Sequence, residues 1–143
     1  MKVKIKKLVE QAVIPVYAHP GEDAGLDLTA TSVKFEHGCW VYGTGLAMEI
    51  PKGYVGLVFP RSSNRKTEAY LTNSVGVIDS GYRGEIMFSF KNRDRRVDEQ
   101  PYKVGDRLGQ IIIMPYPQVE FEEVETLSDT NRGDKGFGST GKK

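Results

Sequence analysis

The sequence predicts an all-β domain of short strands, a sandwich or a barrel, and three observations carry that prediction. Apolar residues recur with a period of two, turn residues punctuate the chain every few positions, and no window holds three turns of amphipathic helix. Each element follows in order. Val3 and Ile5 alternate with lysines at the start. The segments 54–59 and 108–114 are denser apolar runs, as in strands covered on both faces. Ile86, Phe88 and Phe90 share one strand face, and Glu85, Met87, Ser89 and Lys91 share the other. Between these runs stand Pro20-Gly21, His37-Gly38, Pro51-Lys52-Gly53, Ser80-Gly81 and Val104-Gly105-Asp106, all turn chemistry. The apolar runs flanking 79–84 predict a β-hairpin there. The packed domain is expected to span 1–127. Residues 128–143 are expected to form a flexible, glycine-rich arm.

Composition narrows the class. A chain of 143 residues suits one domain with a real core. Twenty basic against nineteen acidic residues leave a net charge of +1, which favours neither nucleic acid nor an acidic membrane. The single cysteine, Cys39, excludes an intramolecular disulfide and suits a reducing compartment. The start, Lys2-Val3-Lys4-Ile5-Lys6, does not run apolar, so no secretory leader is expected. No stretch reaches the ~18 apolar residues of a membrane helix. The expectation is a soluble, cytoplasmic protein.

Five segments can carry chemistry. In the first, 23–30, Asp27 lies between two leucines, so its carboxylate needs hydrogen bonds or a cation. It is either a structural aspartate or part of a site. In the second, Arg61, Ser62 and Ser63 follow a strand-like run at Pro60, which makes either a phosphate nest or an ordinary polar loop. The third, 73–87, is the richest. Backbone groups near Asn73 and Val77 can read a base edge, Asp79 stands where the strand turns, and Tyr82 can lie flat under a sugar and exclude a 2′-hydroxyl. The plainer alternative is an Asp-Ser-Gly turn with a packing tyrosine. In the fourth, Gln110 is a polar side chain in an apolar strand and needs a partner, a phosphate or a neighbouring subunit. The fifth is the arm. Its Arg132, Ser139 and Thr140 can bind phosphate oxygens and Phe137 can stack on a base; equally, it is a disordered end.

Taken together and in this order, the five segments resemble the motifs of the homotrimeric dUTPase family over about 24–141. The most specific matches are Gly76-Val77-Ile78-Asp79-Ser80-Gly81-Tyr82-Arg83-Gly84 and Gly136-Phe137-Gly138-Ser139-Thr140-Gly141. The resemblance implies a jelly-roll-like distorted β-barrel, the dUTPase-like β-clip. It implies Mg²⁺-dependent hydrolysis of dUTP to dUMP and pyrophosphate, by a homotrimer whose sites are shared between subunits. Carried over, Asp79 activates the attacking water and Tyr82 discriminates the sugar. Asn73, with backbone at Val77 and Ile78, reads uracil and deoxyribose, and Met87 touches substrate. Arg61, Ser62, Ser63 and Gln110 hold phosphates, and Asp27 reaches the metal through its waters. In the tail, Phe137 stacks on uracil, with Gly138 beside it, and Arg132, Ser139 and Thr140 hold the terminal phosphate.

The chain departs from the family pattern between Ser63 and Asn73. Its Asn64-Arg65-Lys66-Thr67-Glu68-Ala69-Tyr70-Leu71-Thr72 has no glycine, which implies an altered loop at the pocket rim. Two other classes stand beside the diphosphatase: a dCTP deaminase of the same fold, which needs a general acid/base for the cytosine ring, and a non-catalytic nucleotide-binding or regulatory protein.

Overall fold

A computed structural model describes residues 1–94 and 99–136. Its strands are β1 (Lys4–Lys7), β2 (Leu26–Thr29), β3 (Ser32–Glu36), β4 (Cys39–Gly43), β5 (Leu46–Glu49), β6 (Tyr54–Pro60), β7 (Ala69–Leu71), β8 (Gly76–Ile78), β9 (Met87–Asn92) and β10 (Arg107–Pro115). A 3₁₀ turn at Ser62–Lys66 is the one helical element among the described residues. No described helix is long and apolar enough to cross a membrane.

The turn chemistry behaves as the residues dictate. His37 and Gly38 both have positive φ, 51° and 74°, and join β3 to β4 with Glu36 opposite Cys39. Two positive φ values in a two-residue loop match the right-handed twist of the flanking strands. Gly53 and Gly105 likewise take φ of 81° and 94° at the tips of their turns.

All pairings are antiparallel. The strands form two four-stranded sheets, ordered β2-β10-β6-β8 and β3-β4-β9-β7, and a small β1-β5 ribbon. The sheets do not close on themselves, which makes this a distorted jelly-roll. The two large sheets face each other across one core. Leu28, Val58, Leu108 and Ile111 come from the first, and Tyr42, Ala69, Phe88 and Phe90 from the second. The alternation of Ile86, Phe88 and Phe90 holds: all three are buried, while Met87 is exposed. Tyr42 and Tyr102 link the core to the loop before β10. The Tyr42 hydroxyl donates to the Tyr102 carbonyl (2.9 Å) and accepts from the Tyr102 N–H (3.1 Å). Burial pushes the Tyr42 phenol up to about 12 and raises that of Tyr102, so both hydroxyls stay protonated donors near neutral pH.

The two sheets come into close contact at Gly109. A methyl group there would overlap the Phe88 ring and come within 2.5 Å of the Phe59 carbonyl oxygen. The carbonyl belongs to the paired strand and cannot step aside. Gly109→Ala is therefore expected to destabilise the fold by about 1–3 kcal/mol through overpacking. Urea unfolding with an unchanged m value checks this; an unchanged midpoint would refute the close contact.

The predicted hairpin is corrected. β8 does not pair with β9; it pairs with β6, while β9 lies in the other sheet between β4 and β7. Residues 79–85 cross from sheet to sheet. The reason lies in the backbone partners of the returning chain. The Thr44 N–H donates to the Ile86 carbonyl (3.2 Å), and the Ile86 N–H donates to the Leu46 carbonyl (2.9 Å). The Gly45 N–H also donates to Glu85 Oε1 (2.7 Å). The link between β4 and β5 thus takes the hydrogen bonds that a hairpin would have used.

After Pro115 the chain leaves the sheet. The Tyr116 N–H still donates to the Gly53 carbonyl (3.0 Å), but residues 116–136 are exposed throughout. Phe121 is 93% exposed and Leu127 83%. Large apolar side chains this open are uncommon on a folded surface.

Candidate functional site

The first group of predicted residues meets where β2, β10 and the end of β6 lie side by side. Gln110 sits between Asp27 on β2 and Phe59 on β6. Arg61 leaves β6 at its last residue and turns its guanidinium back onto Asp27. Its Nε donates to Asp27 Oδ1 (3.0 Å), and its Nη1 lies 3.4 Å from Ser63 Oγ. The second oxygen, Oδ2, accepts from Arg107 Nη1 at 3.2 Å. The flanked carboxylate thus has its cations, one on each oxygen. Gln110 reaches the Pro60 carbonyl through Nε2 at 3.4 Å. Asp27, Arg61, Arg107 and Gln110 line a cleft of about 640 Å³ together with Val13, Ile14 and Val16. Ser62 and Ser63 stand exposed at its rim. Gly25 is needed here, because a methyl group there would overlap Gln110 Oε1.

Arg107 is the residue that strand periodicity passes over. In a regular strand it would point the same way as Gly109 and Ile111, toward the core. The β2–β10 register shifts between Arg107 and Gly109, with Arg107 opposite Thr29 and Gly109 opposite Leu28. This bulge re-aims the chain, so Arg107 lines the cleft with Gln110 and Ile112. The sequence signal available was an arginine directly after the Gly105-Asp106 turn; its direction was not readable.

The second group sits on β8 and the crossing that follows it. Asp79 and Tyr82 close one turn, with the Tyr82 N–H donating to the Asp79 carbonyl (3.0 Å). The Tyr82 hydroxyl donates to the Glu85 carbonyl (3.0 Å), folding the ring over Gly84. A methyl group at Gly84 would overlap that ring. Arg83 fastens the turn from outside, donating through Nη1 to the Ser80 and Tyr82 carbonyls. Asp79 is exposed, and its carboxylate has no hydrogen bond or ion pair among the described residues. Val77 and Met87 are exposed as well, while Ile78 is half-buried against the core. Asn73 stands in the turn before β8. Its Nδ2 lies in ordinary contact range of Gly76, where an added Cβ would instead overlap the Val58 side chain.

One chain does not bring the two groups together. Ile78 lies opposite Gly56, whereas Arg61 follows Pro60 at the other end of β6. Five residues of strand separate them, about 16 Å at the usual rise. Asp79 lies one residue farther still. Arg132 is exposed and remote in sequence from both; its Nε donates to the Lys135 carbonyl (3.2 Å). Phe137, Gly138, Ser139 and Thr140 lie outside the described residues.

No cluster of three His, Cys, Asp or Glu side chains that could hold a metal occurs among the described residues. A hard cation that keeps its waters and leans on phosphate oxygens needs no such cluster. Asp27 fits such a cation as an outer partner. Each oxygen accepts one guanidinium N–H and retains a lone pair for a metal-bound water.

The chain is thus an open, distorted jelly-roll with a guanidinium–carboxylate cleft and a separate aspartate–tyrosine turn, and comparison with known proteins gives it a family. The dUTPase family model matches residues 10–141. The deoxyuridine 5′-triphosphate nucleotidohydrolase of Corynebacterium glutamicum is 45% identical, over 98% of this chain and 95% of that protein. That of Nautilia profundicola is 46% identical, over 99% of this chain and 100% of its own length. Among solved structures, the Staphylococcus bacteriophage 80alpha dUTPase with dUpNHpp superposes with a TM-score of 0.81 at 30% identity, covering 98% of each chain. A variant of the dUTPase from phage phi11 of S. aureus, described with a structural Mg(II) ion, has a TM-score of 0.72 at 29% identity, covering 88% of this chain and 98% of that one. The chain belongs to the dUTPase family. Hydrolysis of dUTP is that family's reaction.

Proposed function

We propose that the protein is a dUTP diphosphatase in which Asp79 activates the water that breaks the bond between the α- and β-phosphates, releasing dUMP and pyrophosphate. The observation that carries this reading is the turn at 79–84. It holds an exposed carboxylate with no hydrogen bond or ion pair among the described residues, beside a tyrosine ring fixed by its own hydroxyl. A fixed ring is what sugar discrimination requires: its face bears on the C2′ side of the sugar and leaves no room for a ribose hydroxyl. Asn73 and the backbone of Val77 and Ile78 read uracil and deoxyribose, and Met87 contacts the substrate beside them. Arg61, Ser62, Ser63 and Gln110 hold the phosphates. Prepaid orientation and charge neutralisation supply most of the catalysis.

Mg²⁺ is the cofactor in this reading. When bound, it offsets the negative charge of the polyphosphate, with Asp27 holding its waters. The working form is a homotrimer with shared sites. The distance between Asp79 and Arg61 in one chain supports this, since two copies can set these groups around one nucleotide. The exposed apolar residues Phe121 and Leu127 support it too. The domain spans 1–127, its exposed stretch 116–127 being covered only in the trimer. The arm, 128–143, closes over a neighbour's site, with Phe137 on the base and Arg132, Gly138, Ser139 and Thr140 at the terminal phosphate.

Incubation with Mg²⁺ and each of dUTP, dCTP, dTTP and UTP tests the proposal. Pyrophosphate is expected from dUTP alone. Ammonia from dCTP would make the chain a deaminase, and silence on all four would make it a binding protein.

A further inference from the structure

The rim segment 64–72, which carries no glycine, is tied to the core by side-chain hydrogen bonds. Asn64 stands at its centre. The Asn64 N–H donates to the Arg61 carbonyl (2.9 Å), closing the turn that contains Ser62 and Ser63. Its side chain faces the other way. Nδ2 donates to the Ala69 carbonyl (3.0 Å), and Oδ1 accepts from the Tyr102 hydroxyl (2.7 Å). Thr67 Oγ1 lies 2.8 Å from the Asn64 carbonyl oxygen and 3.1 Å from Oδ1, and accepts from the Ala69 N–H (3.3 Å). Tyr102 is buried and is itself held by Tyr42 in the core. A continuous chain of bonds therefore runs from Tyr42 through Tyr102 and Asn64 to the carbonyl of Arg61.

The segment 61–63 is thus held at both ends. At its start, Pro60 is fixed opposite Gly109 in the sheet. At its end, Asn64 is fixed by Tyr102 and Ala69. Between them lie the guanidinium and the two hydroxyls of the proposed phosphate clamp. Ser62 and Ser63 are exposed, and the one side-chain bond of the pair among the described residues is from Arg61 Nη1 to Ser63 Oγ, so the latch at Asn64 sets where they stand.

We propose that Asn64 and Tyr102 are positioning residues for triphosphate recognition: they hold Arg61, Ser62 and Ser63 in place through the 3₁₀ turn and touch no substrate themselves. This deepens the reading of the same site and rests on Arg61, Ser62 and Ser63 holding phosphates. The network is partly buried, and such a network rigidifies most when every member is satisfied. Loss of the Tyr102 hydroxyl leaves Asn64 Oδ1 short of its buried donor and frees the end of the turn.

The test compares two ligands that differ in their phosphates. dUMP carries the base, the sugar and one phosphate; dUpNHpp carries the full polyphosphate. Calorimetry on the full chain should show Tyr102→Phe binding dUpNHpp about three- to tenfold more weakly, as for the loss of one hydrogen bond. dUMP affinity should stay within about twofold. Asn64→Ala should show the same pattern more strongly, and thermal melts check that it folds. An equal loss for both ligands in Tyr102→Phe, or unchanged dUpNHpp binding with a lowered melting temperature, would reduce the latch to a purely structural role. Arg61→Ala separates this failure from that of the clamp. If Arg61→Ala weakens dUpNHpp and Tyr102→Phe does not, the latch is refuted and the clamp stands. If Arg61→Ala leaves dUpNHpp binding untouched, the clamp itself is refuted.

Discussion

Asp79→Asn is expected to lower kcat by about 10²- to 10⁴-fold, the usual contribution of a positioned general base. The amide has nearly the same shape as the carboxylate but cannot take a proton from water. Little else should change. Asp79 is exposed, and its carboxylate has no hydrogen bond or ion pair among the described residues. The turn is instead closed by backbone and by its neighbours, through the Tyr82 N–H to the Asp79 carbonyl and the Arg83 guanidinium to the Ser80 carbonyl. The melting temperature and the affinity for dUpNHpp should therefore stay near wild type. Stopped-flow or pH-stat turnover beside calorimetric binding measures both quantities. A variant that retains turnover would remove Asp79 from the chemistry. One that loses binding and turnover equally would make it a binding group instead.

Arg61→Ala should fail differently. Its guanidinium serves two masters, Asp27 inside the chain and, in the proposed function, the phosphates of the substrate. Hydrogen bonds to charged groups contribute about 1.5–3 kcal/mol, so kcat/KM for dUTP should fall about 10- to 100-fold. Arg107 remains on Asp27 Oδ2, which keeps the carboxylate from being stranded and the fold from collapsing. Arg61→Lys should recover only part of the loss, since an ammonium supplies charge without the planar fork that meets both Asp27 and an anion. Steady-state kinetics with a melt of each variant decides the matter; equal kcat/KM in all three proteins would take Arg61 out of substrate recognition.

The two variants together test how sites are shared. If Asp79 and Arg61 of one site come from different chains, mixed oligomers of Asp79→Asn and Arg61→Ala protomers contain some sites with both wild-type groups. Activity should then return on co-refolding two nearly inactive proteins. Sites built within single chains would give no recovery.

Much of the architecture was legible before any coordinates. Period-two patterning located the strand that buries Phe88 and Phe90, and turn chemistry located the chain reversal at His37-Gly38. Both are local properties, set by which face of a pleat is apolar and which residues tolerate a left-handed backbone. The leucines flanking Asp27 announced its need for hydrogen bonds or a cation, and the structure supplies two guanidiniums. The pairing of β8 was not legible. Its apolar residues suit either β6 or β9, and the choice depended on backbone donors supplied by a link some forty residues earlier in the chain. Arg107 was hidden for a related reason: one extra residue in β10 reverses the direction that alternation assigns to it.

The sequence by itself determined the β class, the turns, the order of the motifs and the family they mark, because each rests on residue type and near spacing. Only the tertiary structure decided which strands became neighbours. Those pairings place Arg61, Asp27, Arg107 and Gln110 in one cleft and leave Asp79 and Tyr82 at the far end of β6. Strand partnership is settled by competition among distant backbone groups for the same hydrogen bonds, and no local pattern records who wins.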